Sequence, residues 1–372
     1  MKILVLVNEL HRAGGVERSL ATKTLAWVAS GHHVSILTLD DPGNDFFPFP
    51  KEVTRFTLRV QYKRNERLIS IHNAKVAIRH YFELRRFLLS MKYDLVINSI
   101  YGYSFFFLPM ASPSATRVIS ENHSSRFVLP GSKKAFIERC KARIRRTFET
   151  MYDKVLFLSD EEAQISGLEN ALVIPNALAP LGPSVRLVDD KKKRPHVIAA
   201  GRICHVKGFD RLVDAWALAA TRIPGWSLHI YGDGEPHDVA ELEAQITRYG
   251  LCDRVKLWPA TSEIQARMAE SAIYAMTSRS ECFPMVLLEA MQLGLPVVAF
   301  DCPTGPRNIV QHEVTGRLIA DGDVHAFSAA LVSLALDFDA RARMGRASRE
   351  VARRYEVEQV MSAWEALFND KP

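Results

Sequence analysis

The sequence predicts an α/β protein of two parallel-sheet domains, and three observations carry that reading. Short β-branched runs alternate with longer stretches of helical period from one end of the chain to the other. That order is the one parallel strands with crossover helices require. A length of 372 residues exceeds what one hydrophobic core ordinarily serves, so two cores are the simplest division. Finally, Pro175–Ser184 and the following Asp189-Asp-Lys-Lys-Lys-Arg-Pro195 interrupt the alternation with prolines and charge, as a linker does. The boundary is expected within 175–195, giving domains over 1–180 and 181–355 and a last helical segment over 356–372.

In the first half, strands are expected at Ile3–Val7, Val34–Leu39, Leu95–Asn98, Arg117–Ser120 and Val155–Ser159. The first empties into a turn containing Gly14 and Gly15, where backbone N–H groups can approach a ligand at the sheet edge that binds one. Strand-to-helix turns often contain glycine for structural reasons alone, so this signal is weak by itself. Tyr101–Met110 is rich in aromatic residues and could line an apolar groove, although core packing is the commoner use. His123 follows a strand in the polar stretch Ile119–Ser125, and position is its only claim.

The second half carries strands at Val197–Gly201, Ser227–Tyr231, Val255–Leu257, Ala272–Met276 and Val297–Phe300, and helical sequence from about Val324 onward. Gly201 ends a strand, Arg202 and Lys207 follow, and Gly208 precedes a helix. Two cations at such a turn suit a diphosphate, the arginine as a fork and the lysine as a point charge. The bland alternative is a pair of surface cations. Neither a dinucleotide fingerprint nor a P-loop is present. Gly232, in Tyr231-Gly-Asp-Gly-Glu235, marks another glycine turn at a strand end, and Trp258 could stack on a base or simply pack.

The most specific stretch is Ser278-Arg-Ser-Glu-Cys-Phe-Pro-Met-Val-Leu-Leu-Glu-Ala-Met291. Pro284 suits a helix start because its missing N–H would be unpaired there. Glu281 then lies before the helix and Glu289 in its second turn, roughly 10 Å apart along the chain path. Between them a helix N-terminus offers free N–H groups to a phosphate.

Composition and charge narrow the setting. With 48% hydrophobic residues and no apolar run of membrane-spanning length, the chain reads as a globular protein without a signal peptide, which predicts cytoplasmic residence. Cys140, Cys204, Cys252, Cys282 and Cys302 are scattered and form no C-x-x-C pair, so no disulfide framework or zinc site is expected. Residues 1–185 hold 25 Lys and Arg against 17 Asp and Glu, which places the whole basic surplus in the first half. Lys133–Arg146 interleaves seven of those cations with Phe136, Ile137, Cys140 and Ile144. That is the pattern of a basic amphipathic helix able to lie on anionic lipid, or of a solvated helix face. Phe127–Pro130 is an apolar loop beside it, so 127–146 is the candidate membrane contact. No nucleic-acid motif accompanies the charge. Asp321-Gly-Asp323 has the D-x-D form of a metal motif but precedes a helical run and reads as a turn and cap.

Taken in order, the glycine pair, the Arg–Lys turn, the Gly-Asp-Gly turn and the paired glutamates resemble the retaining glycosyltransferases of family 4, also called glycosyl transferases group 1. The resemblance covers essentially the whole chain and is strongest in Gly201-Arg202…Lys207-Gly208 and Glu281…Glu289. It implies the GT-B fold: two Rossmann-like parallel-sheet domains facing across a cleft, an N-terminal acceptor domain and a C-terminal nucleotide-sugar domain, with the C-terminal helix over 356–372 returning to the first. It further implies that Arg202 and Lys207 hold the donor diphosphate, Glu281 contacts sugar hydroxyls and Glu289 binds the ribose. Gly201, Gly232 and the backbone of Phe283, Pro284, Met285 and Val286 would contact the donor, and Gly14 and Gly15 would close over its phosphates. His123 matches a histidine beside the reacting sugar. Cys282 stands where glycine is commonest and Asn308 where glutamate is usual.

The function expected from this resemblance is retaining transfer of a hexose or N-acetylhexosamine, from a UDP- or GDP-linked donor, to a saccharide. A lipid-linked acceptor in cell-surface glycan synthesis is expected. No metal or other cofactor is required, because two cations and helix N–H groups can stabilise the departing diphosphate. The competing readings are a nucleotide-sugar hydrolase or epimerase built on the same parts, and a non-catalytic sugar-nucleotide-binding protein.

Overall fold

A computed structural model describes residues 1–11, 14–39, 43–63, 70–126, 135–182 and 185–370, with backbone alone over 135–140. The chain forms two compact units, one holding Met1–Ala177 and Met361–Pro372, the other Leu178–Val360.

The first unit is built on β1 (Lys2–Val7), α1 (Gly15–Ala29), β2 (His33–Thr38), β3 (Thr54–Thr57), α2 (Ile71–Met91), β4 (Leu95–Asn98), α3 (Tyr103–Ala111), β5 (Arg117–Glu121), α4 (Ala135–Glu149), β6 (Lys154–Phe157), α5 (Asp160–Ser166) and β7 (Ala171–Val173). Its strands pair in parallel in the order β3-β2-β1-β4-β5-β6-β7. Ile3, Leu4, Val5 and Leu6 are wholly buried, as expected of a central strand covered on both faces. Right-handed crossovers place α1 on one face of the sheet and α2, α3 and α4 on the other. Phe106 of α3 meets Phe148 of α4 edge-on at 5.1 Å within that second layer.

The second unit contains β8 (His196–Ala200), α6 (Phe209–Ala219), β9 (Ser227–Tyr231), α7 (Pro236–Arg248), β10 (Val255–Trp258), α8 (Ile264–Glu270), β11 (Ile273–Met276), α9 (Met285–Gln292), β12 (Val297–Asp301), β13 (Gly316–Ala320), α10 (Val324–Leu336) and α11 (Phe338–Ala352). Its parallel order is β10-β9-β8-β11-β12-β13. A final helix, α12 (Val357–Asn369), begins in this unit and belongs to the first from Met361 on. There Trp364 packs edge-on against Trp27 of α1 at 5.0 Å, with Phe368 5.8 Å from the same ring.

Two parallel sheets with crossover helices are the fold class read from the sequence. The sheets also contain β3, β7 and β13, which no apolar run announced. All three are edge strands, and an edge strand is short and only partly buried, so it lacks the continuous run of an interior strand. Both sheets reverse strand order once, between β1 and β4 and between β8 and β11. Ligands of open parallel sheets bind at such reversals, beyond the carboxyl ends of the strands. Asp323 accepts from the N–H of Ala326 at 2.9 Å and caps α10, while Asp321 pairs with Arg211 at 2.7 Å.

Candidate active site

In the second unit the reversal between β8 and β11 gathers most of the predicted donor residues. Gly201 follows β8 and its N–H donates to the Tyr231 carbonyl at 3.0 Å. Gly232 follows β9 so closely that a Cβ there would sit 1.8 Å from the Gly201 carbonyl oxygen. The next residues stay in register, since the Ile203 N–H donates to the Asp233 carbonyl at 2.8 Å. The Arg–Lys turn and the Gly-Asp-Gly turn are therefore one double-layered backbone edge. Gly208 caps α6 at φ +64°, and a Cβ there would meet the Thr277 carbonyl oxygen at 2.2 Å. Gly208→Ala and Gly232→Ala each force backbone apart, so each should cost about 1–3 kcal/mol in a urea melt. Gly225→Ala, in open space, should cost little.

Lys207 ends a short 3₁₀ turn, His205–Lys207. Its Nζ donates to Glu281 Oε1 at 2.6 Å, and the Ser278 hydroxyl donates to the same oxygen at 2.7 Å. Arg202 is exposed one residue from Gly201 and makes no ion pair among the described residues. Pro284 is the N-cap of α9, with Met285 the first helical residue, so Glu281 precedes the helix as expected. Glu289 lies within α9 and is buried. Phe283 is buried against Tyr355, with ring centroids 5.6 Å apart. Trp258 ends β10 half-exposed, stacked on Tyr231 at 6.0 Å and donating to His229 Nδ1 at 3.2 Å.

Several supporting residues carried no signal of their own. Arg279 forks onto Asp210, donates to the His205 carbonyl at 2.7 Å, and sends its N–H to the Val206 carbonyl at 2.8 Å. It thereby ties the Glu281 loop to the Lys207 turn. Burial works to raise the Asp210 carboxyl, but hydrogen bonds and charge from Arg279 outweigh it and hold Asp210 below its ordinary value. Tyr274 of β11 is buried, and its hydroxyl donates to the Ala200 carbonyl at 3.3 Å, bracing the end of β8. Burial, then the charges of Glu289 and Glu281, push its pKa up, so both carboxylates act on this strand end. Thr304 holds φ +64°, an unusual conformation for a β-branched residue. Its hydroxyl donates to the Glu281 carbonyl at 3.0 Å, and a Cβ on the neighbouring Gly305 would meet Glu281 Cβ at 2.5 Å. The loop containing Asn308 thus packs on Glu281. The Cys302 thiol at its base is pushed up to about 12 by burial, then by the Glu281 charge.

In the first unit Gly14 is the extended N-cap of α1 and Gly15 its first residue, beyond the end of β1. The Glu17 carboxylate lies over Gly14, where a Cβ would meet Oε2 at 2.0 Å. His123 follows β5, its Nε2 3.4 Å from Glu121 Oε2. That oxygen accepts the Ser99 hydroxyl at 2.6 Å, while Oε1 pairs with Lys23. Lys23 is a buried lysine on α1, flanked by the rings of Trp27 and Trp364 at 5.7 and 5.1 Å. The segment after His123 is held to α4. Arg126 and Arg145 both donate to buried Glu149, and Arg145 reaches Asn122 Oδ1 at 2.6 Å. Phe127–Pro130, Lys133 and Lys134 lie outside the described residues, as do the side chains of Phe136, Ile137 and Cys140. Tyr101–Met110 is largely α3, whose Phe105 and Leu108 are core while Tyr101 and Met110 are exposed.

Among the described residues no cluster of three His, Cys, Asp or Glu is placed to hold a metal ion, and no helix is long and apolar enough to cross a membrane.

Each of the two parallel sheets reverses once, and in the second unit Arg202 and Lys207 follow β8 while Glu281 follows β11 and Glu289 lies in α9. Residues 13–177 match the sequence profile of Glycosyltransferase Family 4, and residues 188–351 that of Glycosyl transferases group 1. The amylovoran biosynthesis glycosyltransferase AmsD of Erwinia amylovora is 28% identical, covering 99% of both chains. Among solved structures, TarM superposes with a TM-score of 0.80 at 16% identity over 99% of both chains. Anabaena HepE, solved with UDP and glucose, superposes at 0.77 and 22% identity over the full length of both. The chain belongs to the family 4 glycosyltransferases and has the GT-B fold.

Proposed function

We propose that this enzyme transfers a hexose or N-acetylhexosamine, with retention of configuration and without a metal, from a UDP- or GDP-linked donor to a hydroxyl of a lipid-linked saccharide. The observation that carries this reading is the contact of Lys207 with Glu281 at the β8/β11 reversal, with Arg202 exposed on the same turn after β8. In this reading Arg202 and Lys207 take the diphosphate together with the backbone at Gly201, Gly232 and the start of α9, and neutralise charge as it leaves. Glu281, positioned by Ser278 and Thr304, reads the sugar, Glu289 the ribose, and Phe283–Val286 supply backbone contacts. Gly14 and Gly15 serve the donor phosphates, and His123 serves the reacting sugar. Retention follows from attack on the face the diphosphate leaves, with that phosphate taking the acceptor proton and no covalent enzyme intermediate.

The acceptor domain is assigned to the first unit and the donor domain to the second. A cell-surface glycan fits the amylovoran-synthesis relative. The exposed Arg143, Ile144 and Arg146 of α4 suit attachment to anionic lipid at a cytoplasmic membrane face.

The test incubates the protein with UDP- and GDP-sugars, with and without a lipid extract, and determines the anomeric configuration of the product by NMR. Acceptor-dependent nucleotide release, a retained anomer and full activity in EDTA are expected. An inverted anomer overturns the mechanism, acceptor-independent release favours a hydrolase, and loss in EDTA overturns metal independence.

A further inference from the structure

We propose that the outward face of α2 is a second docking surface for an anionic lipid bilayer, continuous with that of α4; it rests on the membrane reading above. Ile71, Ile78, Phe82 and Leu89 are 79, 61, 63 and 49% exposed. At 3.6 residues per turn these four positions fall within about 40° of one another. The opposite side of the helix holds its buried residues Asn73, His80, Leu84 and Leu88. A monomer seldom leaves four large apolar side chains in one row without a partner.

The charges beside the row say what the partner is. Lys75, Arg79 and Arg86 flank it on one side and Arg85 on the other, while Glu83 is the sole acid of the helix. Arg79 bridges to Glu83 at 3.0 Å, leaving the face cationic overall. Two copies of such a face would repel each other, which disfavours self-association. Apolar side chains that enter an acyl boundary while long cationic stems reach the headgroups match a bilayer with anionic lipid. The layer continues beside it. Arg85 donates to the Met110 carbonyl of α3 at 3.2 Å, Met110 is exposed, and Arg145 of α4 lies over the Tyr101 ring at 4.8 Å. The three helices cover the same side of one sheet, so both basic faces can meet one surface.

Full-length protein is sedimented with phosphatidylcholine vesicles, with and without phosphatidylglycerol. Binding that requires phosphatidylglycerol and weakens with salt is expected. Ile78→Ser/Phe82→Ser and Lys75→Gln/Arg86→Gln should each lower partitioning roughly tenfold, with unchanged melting because the positions are exposed. Arg143→Gln/Arg146→Gln tests α4 separately. If the α4 pair abolishes binding and both α2 pairs bind normally, the α2 surface is overturned and the membrane reading stands. If wild-type protein ignores both vesicles, both fall. Equal binding to neutral vesicles overturns the anionic requirement. A dimer in sedimentation velocity that Ile78→Ser/Phe82→Ser dissociates identifies the face as a self-interface instead.

Discussion

Lys207→Ala lowers kcat about 100- to 1,000-fold while leaving the fold intact, the size of effect seen when one preorganised transition-state donor is removed. Lys207 Nζ meets Glu281 Oε1 at 2.6 Å, but both side chains retain some solvent access and Ser278 still donates to that oxygen in the variant. The expected change in melting is accordingly small. Arg202→Ala should lower kcat to a similar degree with even less structural effect, because Arg202 is exposed and makes no described ion pair. If the two cations act mainly as charge builds on the leaving phosphate, kcat falls more than KM rises. Near-normal kcat in both variants would sink the diphosphate assignment. A raised KM with kcat unchanged would assign them to ground-state binding.

Lys23→Met destabilises the protein by about 3–5 kcal/mol, because it leaves the buried Glu121 carboxylate without its cation. Glu121→Gln should cost a similar amount by stranding Lys23. The double variant should recover most of the loss, since a neutral pair has no charge to bury. The pH dependence supplies a sign that packing alone does not give. In the native protein burial works to raise Glu121, but Lys23, with His123, holds it well below the usual carboxylate range. Its stabilisation is therefore fully present above about pH 4.3 and fades as pH falls toward the depressed folded value. In Lys23→Met burial acts unopposed by the lysine and raises the carboxyl, so stability should increase as pH falls from neutral toward 5. Urea melts at both pH values decide it, and a variant no more stable at the lower pH contradicts the assignment.

Legibility in the sequence followed the range of the interactions. Gly201, Gly208 and Gly232 were visible because a strand-to-helix turn imposes a local need, and the structure adds why: at Gly208 and Gly232 backbone passes where a side chain would stand, and at Gly201 the Lys207 side chain lies over a backbone at φ +154°. Lys207 and Glu281 were visible as motif members, although their contact spans 74 positions and no periodicity encodes it. Partners without a motif stayed hidden. Lys23 has no local signature, and only the fold brings it to Glu121, 98 positions away. Arg279 and Asp210 each sat beside a recognised motif, yet their pairing across 69 positions had no local signature. Thr304 was equally silent, since only coordinates reveal a positive φ. The face of α2 went unread in the sequence, because exposure of its apolar residues depends on what the rest of the unit covers.

The contribution of Trp364 and Phe368 to the core beside Trp27 bears on biogenesis. Synthesis delivers β1 through β7 long before the residues that close one of their faces. During that interval the nascent first unit would present Trp27 and the apolar stem of Lys23 to the surroundings, a state attractive to chaperones and prone to association. Chains halted before Met361 could complete the second core but not the first, so the first unit is sealed only after the second has been made.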